Sequence, residues 1–229
     1  MHPIIVFDLD GTLADTAPDL LGTLNVLLAR EGLAPLPVSQ AGSLIGAGAR
    51  ALLARGFDAA GKELGPARLE ALYADFLAHY AENICIGTRL FPGVVAALER
   101  LVAEGYVLAV CTNKVEAHSV RLLEALGIAS RFRAICGRDT FPVFKPDPRH
   151  LVLTIERAGG DLRRAVMVGD SLTDIATAKA AGVPVIAVPF GYSDEPVASL
   201  GPDVLIDHFD ELAEAVLGLH RAPAARSVA

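Results

Sequence analysis

Five short apolar runs, separated by helix-sized intervals with one long exception, constrain this chain more than any other feature. They are PIIVF (3–7), YVLAV (106–110), RAICG (133–137), AVMVG (165–169) and PVIAV (184–188). None alternates cleanly with polar residues, which is the pattern of strands covered on both faces. The intervals read as helices. EAHSVRLLEALGI (116–128) sets Val120, Leu123 and Leu126 at helical spacing, and Gly127 is a fitting C-terminal cap. DPRHLVLTIERAGG (147–160) begins with Asp147 as N-cap and Pro148 at the first helical position. LTDIATAKAAGV (172–183) ends on another glycine. Alternating strands and helices predict an α/β fold with a parallel, doubly wound, Rossmann-like sheet.

One interval breaks the rhythm. A parallel crossover needs about a dozen residues, and the stretch from Thr12 to Gly105 is far longer. It holds helical patterns and no convincing strand. PDLLGTLNVLLAREG puts Leu20, Leu24, Leu27 and Leu28 on one face; ALLARGF and ARLEALYADFLAHYAE follow. GVVAALERLVAEG (93–105) suffices as the crossover helix itself. The expectation is a core of residues 1–15 and 91–219, an inserted α-helical cap domain of 16–90 with FPG (91–93) as return hinge, and a loose tail at 220–229.

The chain carries a net charge of −7 and a pI near 5.3, so it lacks the basic footprint of a nucleic-acid binder. No run of 18 apolar residues predicts a membrane span. The N-terminus shows no secretion signal, and Cys85, Cys111 and Cys136 have no CxxC spacing. A reducing, cytoplasmic setting with buried thiols is expected. Apolar positions on the inserted helices leave monomer and homodimer both open.

The first strand runs into Asp8-Leu9-Asp10-Gly11-Thr12. In open α/β sheets, ligands bind beyond the carboxyl ends of the strands, where the strand order reverses. With the order 3-2-1-4-5, the first strand neighbours the fourth, which ends in GDSLTD (169–174). Asp8, Asp10, Asp170 and Asp174 then face one crevice, and Thr112 and Asn113, at the end of the second strand, share its rim. Two like charges about 4 Å apart cost about 4 kcal/mol at an effective dielectric of 20. Such a cluster calls for a cation or for protons. Hard oxygen ligands without His or Cys suit Mg²⁺, and Mg²⁺ commonly bridges to phosphate oxygens. The expected ligand is a small phosphate ester. Asp8 and Asp10, at i and i+2, would point the same way on a regular strand; Gly11 allows an abrupt turn after them.

DLDGTLADT, CTNK, KPDP and GDSLTD, in this order, resemble the motifs of the haloacid dehalogenase-like superfamily, and the resemblance covers essentially the whole chain. The insertion resembles its helical-cap subclass. DLDGTLADTAPDL, IGAGARALL, LFPGV and CTNK are similar to stretches of phosphoglycolate phosphatases. The resemblance implies that Asp8 is a nucleophile forming an aspartyl-phosphate, and that Asp10 protonates the leaving oxygen and later deprotonates water. It implies that Thr112 and the Asn113 amide hold a phosphoryl oxygen and that Lys145 neutralises charge. Mg²⁺ would sit on the Asp8 side chain, the Asp10 carbonyl and Asp170, with Asp174 supporting from behind. The implied reaction is hydrolysis of 2-phosphoglycolate. Arg50, in GAGAR (46–50), either marks a bend or faces the substrate and reaches its carboxylate. The second acid, Asp10, argues against a dehalogenase. The segment after the first motif lacks the histidine usual in sugar phosphomutases, and Lys62 reads as an exposed turn rather than the Schiff-base lysine of a phosphonate hydrolase. Pyrophosphate and other small metabolites stay open as substrates. Cys111 and His118 read as a core thiol and a helix-surface side chain.

Overall fold

In the computed structural model, residues 1–221 are described. The chain opens with β1 (His2–Phe7), followed by β2 (Ala14–Asp15) and the inserted helices α1 (Ala17–Arg30), α2 (Ala41–Leu44), α3 (Ala49–Ala59) and α4 (Pro66–Glu82). β3 (Arg89–Leu90) returns antiparallel to β2, Ala14 opposite Leu90. The remainder alternates: α5 (Val94–Ala103), β4 (Val107–Cys111), α6 (Glu116–Ala125), β5 (Ala134–Cys136), α7 (Pro148–Arg157), β6 (Gly160–Gly169), α8 (Leu172–Ala180), β7 (Val185–Ala187), β8 (Val204–Leu205) and α9 (Leu212–Arg221).

Among the described residues the main sheet has six parallel strands in the order β5-β4-β1-β6-β7-β8. Five of them are the anticipated runs, in the anticipated order. The sixth, β8, extends the edge beside β7. It is two residues long, too short to leave a periodic signal, and its register rests on Ile186 opposite Val204. The central strands β1 and β4 are covered on both faces, Ile4 to Phe7 and Leu108 to Cys111 being at most 1% exposed. That is why their sequences do not alternate.

The helices start and stop for local reasons. The Asp147 side chain caps α7 by accepting from the Arg149 amide at 2.9 Å, with Pro148 in the first turn. α6 buries Ser119, Leu122 and Leu123; Val120 lies off that face, because the helix meets the sheet one position round from the expected stripe. In the insertion, Leu20, Leu24, Leu27 and Leu28 of α1 are buried as their spacing requires, and α1 and α3 both pack on α4. Asp19 ties the start of α1 to the returning chain: its carboxylate accepts from the amides of Ile86, Gly87 and Thr88 and from the Thr88 hydroxyl, at 2.7–3.0 Å. Those donors outweigh the opposing effect of burial and hold its pKa below the usual carboxylate value. His220 and Arg221, expected in a loose tail, are the last residues of α9, where the Tyr106 hydroxyl meets His220 Nδ1 at 3.0 Å. Residues 222–229 of that expectation lie outside the described residues. Among the described residues no helix is long and apolar enough to cross a membrane.

Candidate active site

β1 and β6 lie side by side, so the loops after Phe7 and Gly169 open onto one crevice at the carboxyl edge of the sheet. One carboxylate oxygen from each of Asp8, Asp170 and Asp174 falls within 4.8 Å of the others, and all three residues are buried. Lys145 enters this cluster from the loop before α7. It is 2% exposed, donates to Asp174 Oδ1 at 2.5 Å and lies 3.0 Å from Asp8 Oδ1. The ammonium is aimed at Asp174, so Asp8 Oδ1 feels its charge but receives no aligned hydrogen bond. That buried carboxylate oxygen is left without a hydrogen-bond donor.

Asp174, expected in the cluster and supporting from behind, is fixed by the cap of its own helix. Ser171 caps α8, and Asp174, three residues on, closes the reciprocal capping box. Its Oδ2 accepts from the Ser171 hydroxyl and the amides of Ser171 and Asp170, while Oδ1 takes Lys145. Both oxygens are occupied, so Asp174 holds Lys145 from behind. Asp170 accepts from the Thr12 hydroxyl and the Tyr192 amide, each at 2.6 Å. Gly11, at φ +84°, leaves room for that carboxylate; a Cβ there would collide with it.

Asp10 does not point with Asp8. β1 ends at Phe7, so strand alternation no longer governs these side chains, and each acid has its own lysine. Asp10 Oδ1 accepts from Lys114 Nζ at 2.9 Å, and that ammonium also lies 4.4 Å from the Tyr80 ring centroid, on α4. Both acids still line one cavity. Lys114 is a residue sequence reasoning missed; its signal was a lysine directly after Thr112-Asn113 at the end of a strand facing acids. Tyr192 was missed too. Its hydroxyl donates to Asp15 Oδ1 and accepts from the Ala17 amide, joining the loop that holds Asp170 to the start of the insertion. That pairing spans more than 170 residues and leaves no local trace.

Thr112 and Asn113 sit where the rim was expected. The Asn113 side chain donates to the Lys145 carbonyl at 3.1 Å and so fixes the lysine's backbone. Its own amide has no acceptor among the described residues. Above the acids, the cavity is walled by Ile45, Leu52, Tyr73, Phe76 and Tyr80 of the insertion, with Gly46 and Gly48 at positive φ in its lip. Arg50 lines it, but Nε and Nη2 pair with Glu70 at 2.7 and 2.9 Å and the guanidinium stacks on Tyr73. His118, expected on a helix surface, is half-buried against Tyr80 and lines the same cavity. Lys62 pairs with Glu31 and takes no part. Cys111 is buried in the sheet, which pushes its thiol up to about 12.

The electrostatics are those of a buried acidic cluster. Burial foremost raises Asp8 to about 6, with Lys145 opposing and Asp174 and Asp10 adding; burial, Asp174 and Asp8 raise Asp170 well above the usual range. Lys145 and Lys114 are raised because their acid partners outweigh burial. Four carboxylates and two ammoniums meet here.

The fold, with this buried acidic cluster at the carboxyl edge of its sheet, is that of a hydrolase. A family model described as haloacid dehalogenase-like hydrolase matches residues 5–188, and the chain belongs to that family. It is 52% identical over 220 residues to a protein named phosphoglycolate phosphatase from Mesorhizobium japonicum, covering 94% of this chain and 97% of that one. A protein of the same name from Agrobacterium fabrum is 47% identical over 216 residues, covering 94% and 93%. A solved structure described as a predicted phosphoglycolate phosphatase from Haemophilus somnus 129pt superposes with a TM-score of 0.87 at 35% identity, covering 93% and 97%.

Proposed function

We propose that this protein hydrolyses 2-phosphoglycolate to glycolate and phosphate, with Asp8 as nucleophile and Mg²⁺ as cofactor. The observation that carries the reading is the buried cluster of Asp8, Asp170 and Asp174, with Lys145 3.0 Å from Asp8, at the crevice that Asp10, Thr112 and Asn113 also line. The two relatives named above, matching nearly end to end, support the substrate.

The residues fit a hard divalent ion: three buried carboxylates with oxygens within 4.8 Å, one oxygen without a donor, and no softer ligand among them. Asp8, Asp170 and the Asp10 carbonyl would hold it. When bound, Mg²⁺ cancels the negative charge that otherwise keeps an anionic nucleophile and an anionic phosphate apart. Asp8 attacks phosphorus and forms the aspartyl-phosphate. Asp10 gives its proton to the leaving oxygen and then takes one from the attacking water. Lys114 fixes the direction of the Asp10 side chain. Thr112 and the Asn113 amide receive a phosphoryl oxygen, and Lys145, locked between Asp174 and Asp8, stabilises the charge that builds on the transferring group. The inserted helices (16–90) act as a cap that excludes water, and Arg50 at the lip supplies charge to the substrate carboxylate.

Phosphate release from 2-phosphoglycolate, pyrophosphate, a hexose phosphate and phenyl phosphate, each with Mg²⁺ and with chelator, tests this. We expect kcat/KM for 2-phosphoglycolate to exceed the rest by about 100-fold, an advantage of about 3 kcal/mol, and to vanish with chelator. Uniform weak hydrolysis would remove the named substrate. Isomerisation of the hexose phosphate without phosphate release would replace hydrolysis with mutase chemistry.

A further inference from the structure

Arg138 follows β5 at the same carboxyl edge, and its amide donates to the Lys114 carbonyl at 2.9 Å, pinning the two cationic residues side by side. Its guanidinium lies flat on the Phe144 ring, 3.5 Å from the centroid. Among the described residues it forms no salt bridge and no side-chain hydrogen bond, unlike Arg50, whose fork is half used by Glu70. Both arginines line the cavity over Asp8 and Asp10, Arg50 from the insertion and Arg138 from the core. The lip that separates them is closely packed: a Cβ on Gly48 would sit 3.1 Å from the Asn113 carbonyl and 3.6 Å from Arg138 Nη1. Burial, then the facing charge of Arg50, weakens Arg138 as a base. Two guanidiniums placed across one opening repel each other until an anion enters between them. A carboxylate suits that place, since its two oxygens accept several N–H donors in one plane.

We propose that Arg138 is the core's specificity residue for the carboxylate of the leaving group, closing on it together with Arg50. β5 lies two strands from β1, so this contact reaches the end of the substrate away from the phosphoryl group. Stacking on Phe144 holds the guanidinium plane while leaving its edges free to donate. The assignment rests on the reading of 2-phosphoglycolate as substrate.

The test compares Arg138→Met and Arg138→Lys with the parent enzyme on 2-phosphoglycolate and on phenyl phosphate, which has no carboxylate. In Arg138→Met, KM for 2-phosphoglycolate should rise roughly 10- to 100-fold, the value of a charge-assisted contact, with a smaller fall in kcat. The preference for 2-phosphoglycolate over phenyl phosphate should collapse, while the inhibition constant of inorganic phosphate moves less than about threefold. Arg138→Lys should recover part of the preference. If the parent enzyme itself shows no preference, the substrate reading fails and the assignment falls with it. If the parent prefers 2-phosphoglycolate and Arg138→Met retains that preference, the assignment alone is overturned. Equal weakening toward inorganic phosphate would give Arg138 a merely structural role and also overturn it.

Discussion

Asp8→Asn lowers kcat by at least about 10⁴-fold while leaving the protein folded. The substitution keeps the shape of the side chain and removes the carboxylate proposed as nucleophile. Stability is expected to hold because Lys145 retains Asp174 at 2.5 Å as its principal partner. The pH dependence has a definite sign. Asp8 titrates in the folded protein at about 6, above its ordinary 3.8. The stabilisation from its proton is therefore complete below about pH 4 and is lost as the pH rises through 6. In chelator, the parent should lose stability between pH 4 and 6, and Asp8→Asn should lose less over that window. Urea denaturation across the range, beside turnover at pH 7, checks both statements. Residual turnover near the parent value would remove Asp8 from the chemistry.

Lys145→Met should damage both fold and activity. The ammonium is buried between Asp8 and Asp174, and removing it leaves two like charges without a counterion. Breaking a buried pair from one side costs about 3–5 kcal/mol. We expect a loss of that size in urea at pH 7 in chelator, together with abolished turnover. The loss should shrink at pH 5, because Asp8, already raised to about 6 and freed in the variant from the lowering influence of Lys145, is protonated there. A deficit that stays constant between pH 7 and pH 5 would mean that Lys145 contributes by packing rather than by charge.

The parts of this site legible in sequence are those set by position along a strand or helix. The five apolar runs are strands in the order supposed for them, and that order brings Asp8 beside Asp170. Asp147 as a cap followed from Asp-Pro chemistry, and the buried face of α1 from leucine spacing. What sequence did not show depends on how separate segments meet. Asp174 was expected in the cluster, but its pairing with Lys145, which reaches it from a loop 29 residues earlier, leaves no local signal. Asp8 and Asp10 share a spacing, but strand periodicity stops at Phe7 and their directions are set by Lys145 and Lys114. Arg50 carries a visible motif and is half committed to Glu70; Arg138 carries none and is unpaired among the described residues. Which arginine is available depends on where the inserted helices lie over the sheet, and no periodicity encodes that.

The division of labour between the two acids is tested most directly by trapping. Asp10→Asn should still accept a phosphoryl group from 4-nitrophenyl phosphate, whose leaving group needs little help from an acid, but should lose it slowly for want of a base. Protein mixed with this ester and Mg²⁺, quenched in acid and digested, is predicted to carry one phosphoryl group on the peptide containing Asp8, after a burst of about one nitrophenolate per site. Steady release of nitrophenolate with an unmodified Asp8 peptide would contradict the covalent mechanism.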